Sequence, residues 1–244
     1  MEFLGDVLRW FTTSSHWQGE NGVVHRLAEH VTMSGASVLA AAALALPVGI
    51  WLGHTGRGGA LAVNVSNVGR AIPSFAILII AAQFVGIGWE PAFVTLVALG
   101  IPPIVTNSYV GMREVDADVR EAARGMGMTG GQSLWRVELP VALPLVLTGV
   151  RTAAVQVVAT AALAALVAWG GLGRYIVDGI AQRDFVLVFA GALLVGMLAI
   201  LTELGLSLLQ RVVVPSGLRS RETSKNEPFV GLTAGETASE WATK

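Results

Sequence analysis

The sequence predicts an all-α polytopic membrane protein, and three observations carry that prediction. The 244-residue chain is 53% hydrophobic and only 14% charged. Its mean hydropathy is +0.64, whereas a soluble domain of this size carries roughly a quarter charged residues. Residues 31–53, 71–89, 91–112, 152–173 and 185–202 contain no Asp, Glu, Lys or Arg. One soluble core of this size has no room for five such stretches. A helix rising about 1.5 Å per residue needs about 20 apolar residues to cross a hydrocarbon layer roughly 30 Å thick. The expected spans are about five, at 29–53, 61–87, 91–112, 143–168 and 185–210.

The third observation is the placement of basic residues. Arg57, Arg113, Arg120, Arg124, Arg136, Arg211, Arg219, Arg221, Lys225 and Lys244 fall at one end of the predicted bundle. Arg9, Arg26, Arg174 and Arg183 fall at the other. Positive charge concentrates in cytoplasmic loops, so the amino terminus is expected outside and the carboxyl terminus inside. The expected address is the plasma membrane, which is the inner membrane of a cell with two.

Residues 1–26 form an expected extracytoplasmic or interfacial segment. Glu2, Asp6 and Glu20 and the lack of a long apolar run argue against a secretory signal. Phe3, Leu4, Val7, Leu8, Trp10 and Phe11 fall on one helical side, the pattern of a helix lying on a bilayer. Residues 27–212 form the membrane domain. Residues 213–244 are polar, include Gly217, Pro228, Gly231 and Gly235, and read as a disordered cytoplasmic tail. The absence of cysteine excludes disulfides and thiolate chemistry. His16, His25, His30 and His54 lack ligand spacing, so no metal is expected.

Polar groups inside spans cost about 2.5–3.5 kcal/mol when charged, and each needs a reason. Arg70 precedes Ile72-Pro73-Ser74 in span two, where Pro73 interrupts the helical ladder. Arg70 either faces a central path or gate, or snorkels or pairs structurally. Thr106, Asn107 and Gln156 either line a path or hydrogen-bond between helices. Arg151 is expected to snorkel to the headgroups. Glu203 is expected to partner Arg211 or another subunit. Four tryptophans, Trp17, Trp51, Trp89 and Trp169, sit near predicted interfaces, and with only Tyr109 and Tyr175 and no dense aromatic cluster expected, the chain offers no cage for a cation.

The loop 113–138 is the longest charged stretch between spans. It reads as two short helices, the first starting at Asp118 with Glu121 as a capping box, the second at Thr129 with Gln132. Val119, Ala122, Ala123 and Met126 share a face, which rests either on the protein's own helices or in a partner. Gly170-Gly171-Leu172-Gly173 follows an apolar span rather than a strand, so it reads as a tight or re-entrant turn, not a nucleotide loop.

The run Glu121-Ala122-Ala123, then Gly127, then Val137-Glu138-Leu139-Pro140 resembles the EAA loop of ABC importer permeases of the type I, MetI-like fold. Ile72-Pro73-Ser74-Phe75-Ala76, Ile101-Pro102-Pro103-Ile104-Val105 with Asn107, and the Gly170–Gly173 run with Ile176 and Gly179 extend the resemblance to osmoprotectant permeases, which take up glycine betaine, choline, carnitine or proline. The resemblance implies that Arg120, Glu121, Ala122, Ala123, Arg124, Gly127, Leu139 and Pro140 form the loop coupled to an ATPase. It implies a path or gate drawn from Arg70, Pro73, Ser74, Thr106, Asn107, Gln156 and Trp169.

The implied partners are an ABC ATPase subunit, a second permease copy or homologue, an extracytoplasmic substrate-binding protein and membrane lipid, with no nucleic acid. The chain has no Walker A sequence, and its only lysines are Lys225 and Lys244. No cofactor is expected on it: ATP and Mg would sit on the partner ATPase, and the chain itself would be no enzyme. A permease of the same fold for an amino acid or sulfonate is the nearest alternative. An ion-coupled secondary transporter lacks support from any visible repeat, and an intramembrane enzyme lacks a catalytic constellation.

Overall fold

The computed structural model describes residues 2–59, 64 and 72–214, and all regular structure among them is helical. Arg70, the first half of the expected second span and the tail from 215 lie outside the described residues. Helix α1 spans Glu2–Thr12, α2 Val23–Thr55, α3 Ser74–Val85 and α4 Trp89–Arg113. Short helices α5, Ala117–Gly125, and α6, Gly130–Ser133, follow; then come α7, Leu139–Thr160, α8, Gly173–Gln182, and α9, Phe185–Val213.

Four helical runs among the described residues are long and apolar enough to cross a membrane: Val23–Thr55, Trp89–Arg113, Gly130–Val167 and Phe185–Val213. They correspond to four of the five expected spans. Ser74–Val85 is the described part of the remaining one.

In lipid, helices gain little from excluding water, so close packing and hydrogen bonds hold them together. Glycines provide that closeness on both sides of α4. On α2, a Cβ at Gly49 would lie 2.8 Å from the Val105 carbonyl oxygen. On α7, a Cβ at Gly149 would lie 2.7 Å from the Asn107 Cβ and 3.0 Å from the Pro103 carbonyl. The backbones of α2 and α7 therefore approach α4 more closely than any larger residue allows. Ala41, Ala45, Ile104, Val105 and Ala153 fill the resulting core.

Span four departs from its expected course. The α-helix ends at Thr160 and tightens into a 3₁₀ segment, Ala161–Val167, ending on Ala168 in the left-handed region at φ 62°. Helix α9 buries only Ala190, Gly191, Leu194 and Val195. Its remaining length presents Met197, Ile200, Leu201, Leu204 and Leu208 outward, a surface suited to lipid.

Three expectations are corrected here. Arg151 does not snorkel free: its Nε lies 3.3 Å from a Glu203 oxygen and its Nη1 donates to Gln210 Oε1 at 3.1 Å. Glu203 thus pairs with Arg151, not Arg211. The aromatic residues are also less dispersed than the sequence implies. Trp10 packs edge-on to Phe11 at 5.0 Å and Tyr175 at 5.6 Å, and stacks on His16 at 4.8 Å. Phe3 meets Phe189 at 5.6 Å. Helix α1 therefore docks on α9 through part of its apolar stripe, leaving Leu4 and Leu8 exposed for a bilayer. Chain folding brings these rings together from distant positions, which a search for local aromatic runs does not detect.

Candidate functional site

The loop between α4 and α7 is built from local capping signals. Asp116, not Asp118, caps α5: its side chain accepts from the Asp118 N–H at 3.0 Å. The expected capping box at Asp118 and Glu121 is thus not formed; a single side-chain cap stands two residues earlier, because Asp116 is the residue with non-helical backbone geometry (ψ 136°). At the other end of α5, the Gly127 N–H bonds to the Arg124 carbonyl at 2.9 Å and the Met128 N–H to Ala123 at 3.2 Å. With Gly127 at φ +78°, these bonds form a Schellman turn. The capping box at Thr129 and Gln132 is present in full, with bonds of 2.9 and 3.3 Å.

A π-turn, Leu134–Glu138, then joins α6 to α7, closed by the Leu139 N–H on the Leu134 carbonyl. A π-turn is wider than an α-turn, so residues five apart come to one face. Ser133 and Glu138 stand five apart, and both are buried. Ser133 Oγ donates to Glu138 Oε1 at 3.0 Å. The second Glu138 oxygen lies 2.9 Å from His54 Nδ1 and 3.6 Å from Arg120 Nε. One carboxylate thereby ties together the last turn of α2, the middle of α5, the end of α6 and the start of α7.

Arg120 is turned inward. Its Nη2 donates to the Met112 carbonyl, one of the last carbonyls of α4, which has no partner within the helix. Its side chain is 14% exposed, so it braces the loop from within. The face expected of Val119, Ala122, Ala123 and Met126 also divides. Ala123 is buried against the protein, while Ala122 is exposed and Met126 is 71% exposed.

Glu121, Arg124 and Gly127 are exposed beside them, with Trp135 beyond. Arg113, Glu114, Asp116, Arg120, Glu121 and Arg124 border an open depression of about 1000 Å³. Leu139 packs with Met112, Val115, Ala142 and Val146, anchoring the loop to the bundle. Pro140 stands in the first turn of α7, directly after the π-turn. The outward surface therefore combines a small residue, an apolar tip and charges of both signs, and a buried ionic hub holds it rigid from beneath.

The expected path residues are less concentrated. Pro73 begins α3, its carbonyl accepting from Ala76 at 2.9 Å and Ile77 at 3.2 Å. Ser74, Thr95 and Thr160 border a small cleft of about 10 Å³ between α3, α4 and α7. Trp169 packs against the apolar cluster of Leu78, Leu96, Val157 and Val167 around it. Asn107 donates to the Pro103 carbonyl at 2.8 Å, Thr106 is half-buried, and Gln156 is exposed on the outer side of α7. Among the described residues, Ser74 borders this cleft, whereas Asn107 and Gln156 do not.

Sequence reasoning places Glu138 in the motif and weighs His54 only as a metal ligand; it misses the contact that joins them to Ser133. A signal was present. Glu138 falls four residues before Ala142 on the stripe that continues through Val146, Gly149 and Ala153, so an acid occupies a core position of an apolar helix.

Known proteins resemble the chain in sequence and overall fold. Residues 45–216 match the family described as binding-protein-dependent transport system inner membrane component. The chain is 32% identical over 197 residues to the glycine betaine/carnitine/choline transport system permease protein OpuCB of Bacillus subtilis, covering 81% of this chain and 91% of that protein. It is 35% identical to the carnitine transport permease protein OpuCB of Listeria monocytogenes, covering 78% and 88%. An inward-facing structure of the MetNI methionine ABC transporter superposes with a TM-score of 0.69 at 25% identity, covering 79% of this chain and 96% of that one.

Proposed function

Because the chain belongs to the binding-protein-dependent transport system inner membrane component family, we propose that it is the permease subunit of an ATP-driven importer of small osmoprotectants such as glycine betaine, choline, carnitine or proline. The observation that carries this reading is the exposed Glu121-Ala122 and Gly127 surface set on the buried Glu138 hub. A surface fixed in this way transmits force instead of yielding to it. Small Ala122 admits close approach of a partner's groove, and Glu121 and Arg124 offer charges at its rim. The permease relatives from Bacillus subtilis and Listeria monocytogenes support the substrate class.

In this reading the loop faces the cytoplasm, consistent with Arg57, Arg113, Arg120, Arg124, Arg136 and Arg211 at that end, and docks on an ABC ATPase that holds the ATP and Mg. Two permease chains, identical or homologous, enclose the path. A binding protein delivers substrate from outside to the end bearing α1 and α8. Closure of two ATPases moves the docked loops, and the helices rock between inward- and outward-open states.

The test is uptake of radiolabelled glycine betaine by cells lacking their own osmolyte importers, with the chain produced beside its ATPase and binding protein. Uptake competed by choline, carnitine or proline supports the substrate class. An assembled complex that carries none of the four removes it. An amino-acid cargo is the second reading, favoured by the MetNI superposition; methionine uptake by the same complex would select it.

A further inference from the structure

The Gly170–Gly173 turn lies at the end of the bundle opposite the coupling loop, and two consecutive side chains of α2 hold its backbone. Glu29 Oε2 accepts from the Gly171 N–H at 2.8 Å and from Arg26 Nη1 at 2.9 Å. His30 Nδ1 accepts from the Leu172 N–H at 3.3 Å, and its Nε2 lies 2.9 Å from the Val158 carbonyl. A ring nitrogen facing a carbonyl carries the proton and one facing an N–H lacks it, so these two bonds assign the neutral Nε2–H form. His30 is 2% exposed.

Gly170 and Gly171 are explained by this clamp, whereas a Cβ at Gly173 would overlap the Ala162 carbonyl. A Cβ at Gly170 would overlap the Glu29 carboxylate. Gly171 has φ +79°, and a Cβ there would press on His30 Nδ1 at 3.2 Å. The motif is therefore a stretch of backbone kept bare so that two side chains of α2 reach its N–H groups. Leu172 between them is fully buried and packs with Val23, Leu194 and Val195. The same α2 carries His54 at its other end, bound to Glu138. One continuous helix is thus fastened to the coupling loop at one end and to the glycine turn at the other.

We propose that Glu29 and His30 are positioning residues that latch this turn over the extracytoplasmic end of the path, and that each transport cycle breaks and remakes the latch. The inference rests on the import direction and orientation proposed above. Two hydrogen bonds from consecutive N–H groups, one of them to a carboxylate that also pairs with Arg26, hold the turn in one place without a covalent tie. Motion of α2 driven at His54 withdraws both acceptors together.

The chain has no cysteine, so single reporters are unambiguous. Leu172→Cys and Val23→Cys, both buried, are labelled with a membrane-impermeant maleimide from outside, in cells carrying the complete complex. Gln182→Cys, exposed at the end of α8, is the control. Adding Glu29→Ala with His30→Ala raises reporter labelling about tenfold, one decade of open population, and raises ATPase activity without binding protein. His30→Gln, which retains an acceptor for Leu172, restores most of the slow labelling. A merely structural role would reduce the amount of complex without changing the labelling rate per complex. Labelled Gln182→Cys with unchanged rates at both reporters overturns the latch. Unlabelled Gln182→Cys overturns the orientation, and the latch with it.

Discussion

His54 Nδ1 lies 2.9 Å from Glu138 Oε2, joining the last turn of α2 to the start of α7 across 84 residues of sequence. The Glu138 carboxylate also receives Ser133 and faces Arg120 at 3.6 Å. Removing it leaves the Arg120 guanidinium, 14% exposed, without its counter-charge. Glu138→Ala is expected to cost about 3–5 kcal/mol, the usual effect of orphaning one member of a buried ion pair. Ser133→Ala removes one hydrogen bond and is expected to cost about 0.5–1.5 kcal/mol, with Glu138→Gln in between. Thermal unfolding of the purified complex gives the order, and a Ser133→Ala loss equal to that of Glu138→Ala would contradict the hub.

Ala122 and Ala123 are neighbours with opposite surroundings. Ala122 is exposed, whereas Ala123 is 1% exposed. Ala122→Trp should fold and insert normally yet lose uptake, because the added ring blocks the docking surface. Ala123→Trp should lose stability first, since overpacking a filled site costs about 1–3 kcal/mol or more. Uptake assays alongside quantification of inserted protein separate the two. Normal uptake by a well-inserted Ala122→Trp variant would remove the docking claim.

Much of this architecture is legible in the sequence because its causes are local. Charge-free stretches mark the spans, Thr129 and Gln132 mark a helix start, and Gly127 marks a turn. Asp116 was missed because two acids, Asp116 and Asp118, compete for one cap, and backbone geometry chooses between them. The Glu138 hub was missed because its members come from four elements, and a π-turn rotates Ser133 and Glu138 onto one face where α-helical spacing would separate them. The Arg151–Glu203 pair likewise depends on how α7 and α9 pack, which composition does not encode. The proposed path is the least legible part, since among the described residues its candidates are spread over α3, α4 and α7.

Gly125 and Gly127 differ by two residues and should respond in opposite ways to alanine. Neither would bring a Cβ within 4 Å of another group, so only backbone conformation decides. Gly127 sits at φ +78°, and Gly127→Ala is expected to cost about 1–2 kcal/mol for a left-handed alanine. Gly125 ends α5 in a conformation alanine accepts, and Gly125→Ala is expected to stabilise by about 0.4–1 kcal/mol through the unfolded chain. Limited proteolysis of the 113–138 loop reads both: cleavage should quicken in the first variant and slow in the second.

Arg151 and Glu203 lie in two apolar helices, where either charge alone costs about 2.5–3.5 kcal/mol. Their 3.3 Å contact is partly exposed, with side chains 27% and 45% accessible, so screening weakens the attraction. The pair should therefore matter more for avoiding a lone charge in the membrane than for its own attraction. Arg151→Glu or Glu203→Arg alone places two like charges side by side and should reduce the yield of inserted, monodisperse protein. The double exchange restores opposite charges and should recover most of that yield. Gln210 bears on the outcome, because its Nε2 also donates to the Pro144 carbonyl at 3.0 Å, leaving its Oε1 to accept from Arg151 but not to partner a carboxylate there. Recovery in the exchanged variant should accordingly be incomplete until Gln210 is replaced by a smaller residue such as alanine. Full recovery without that change would mean that the Gln210 contact contributes nothing.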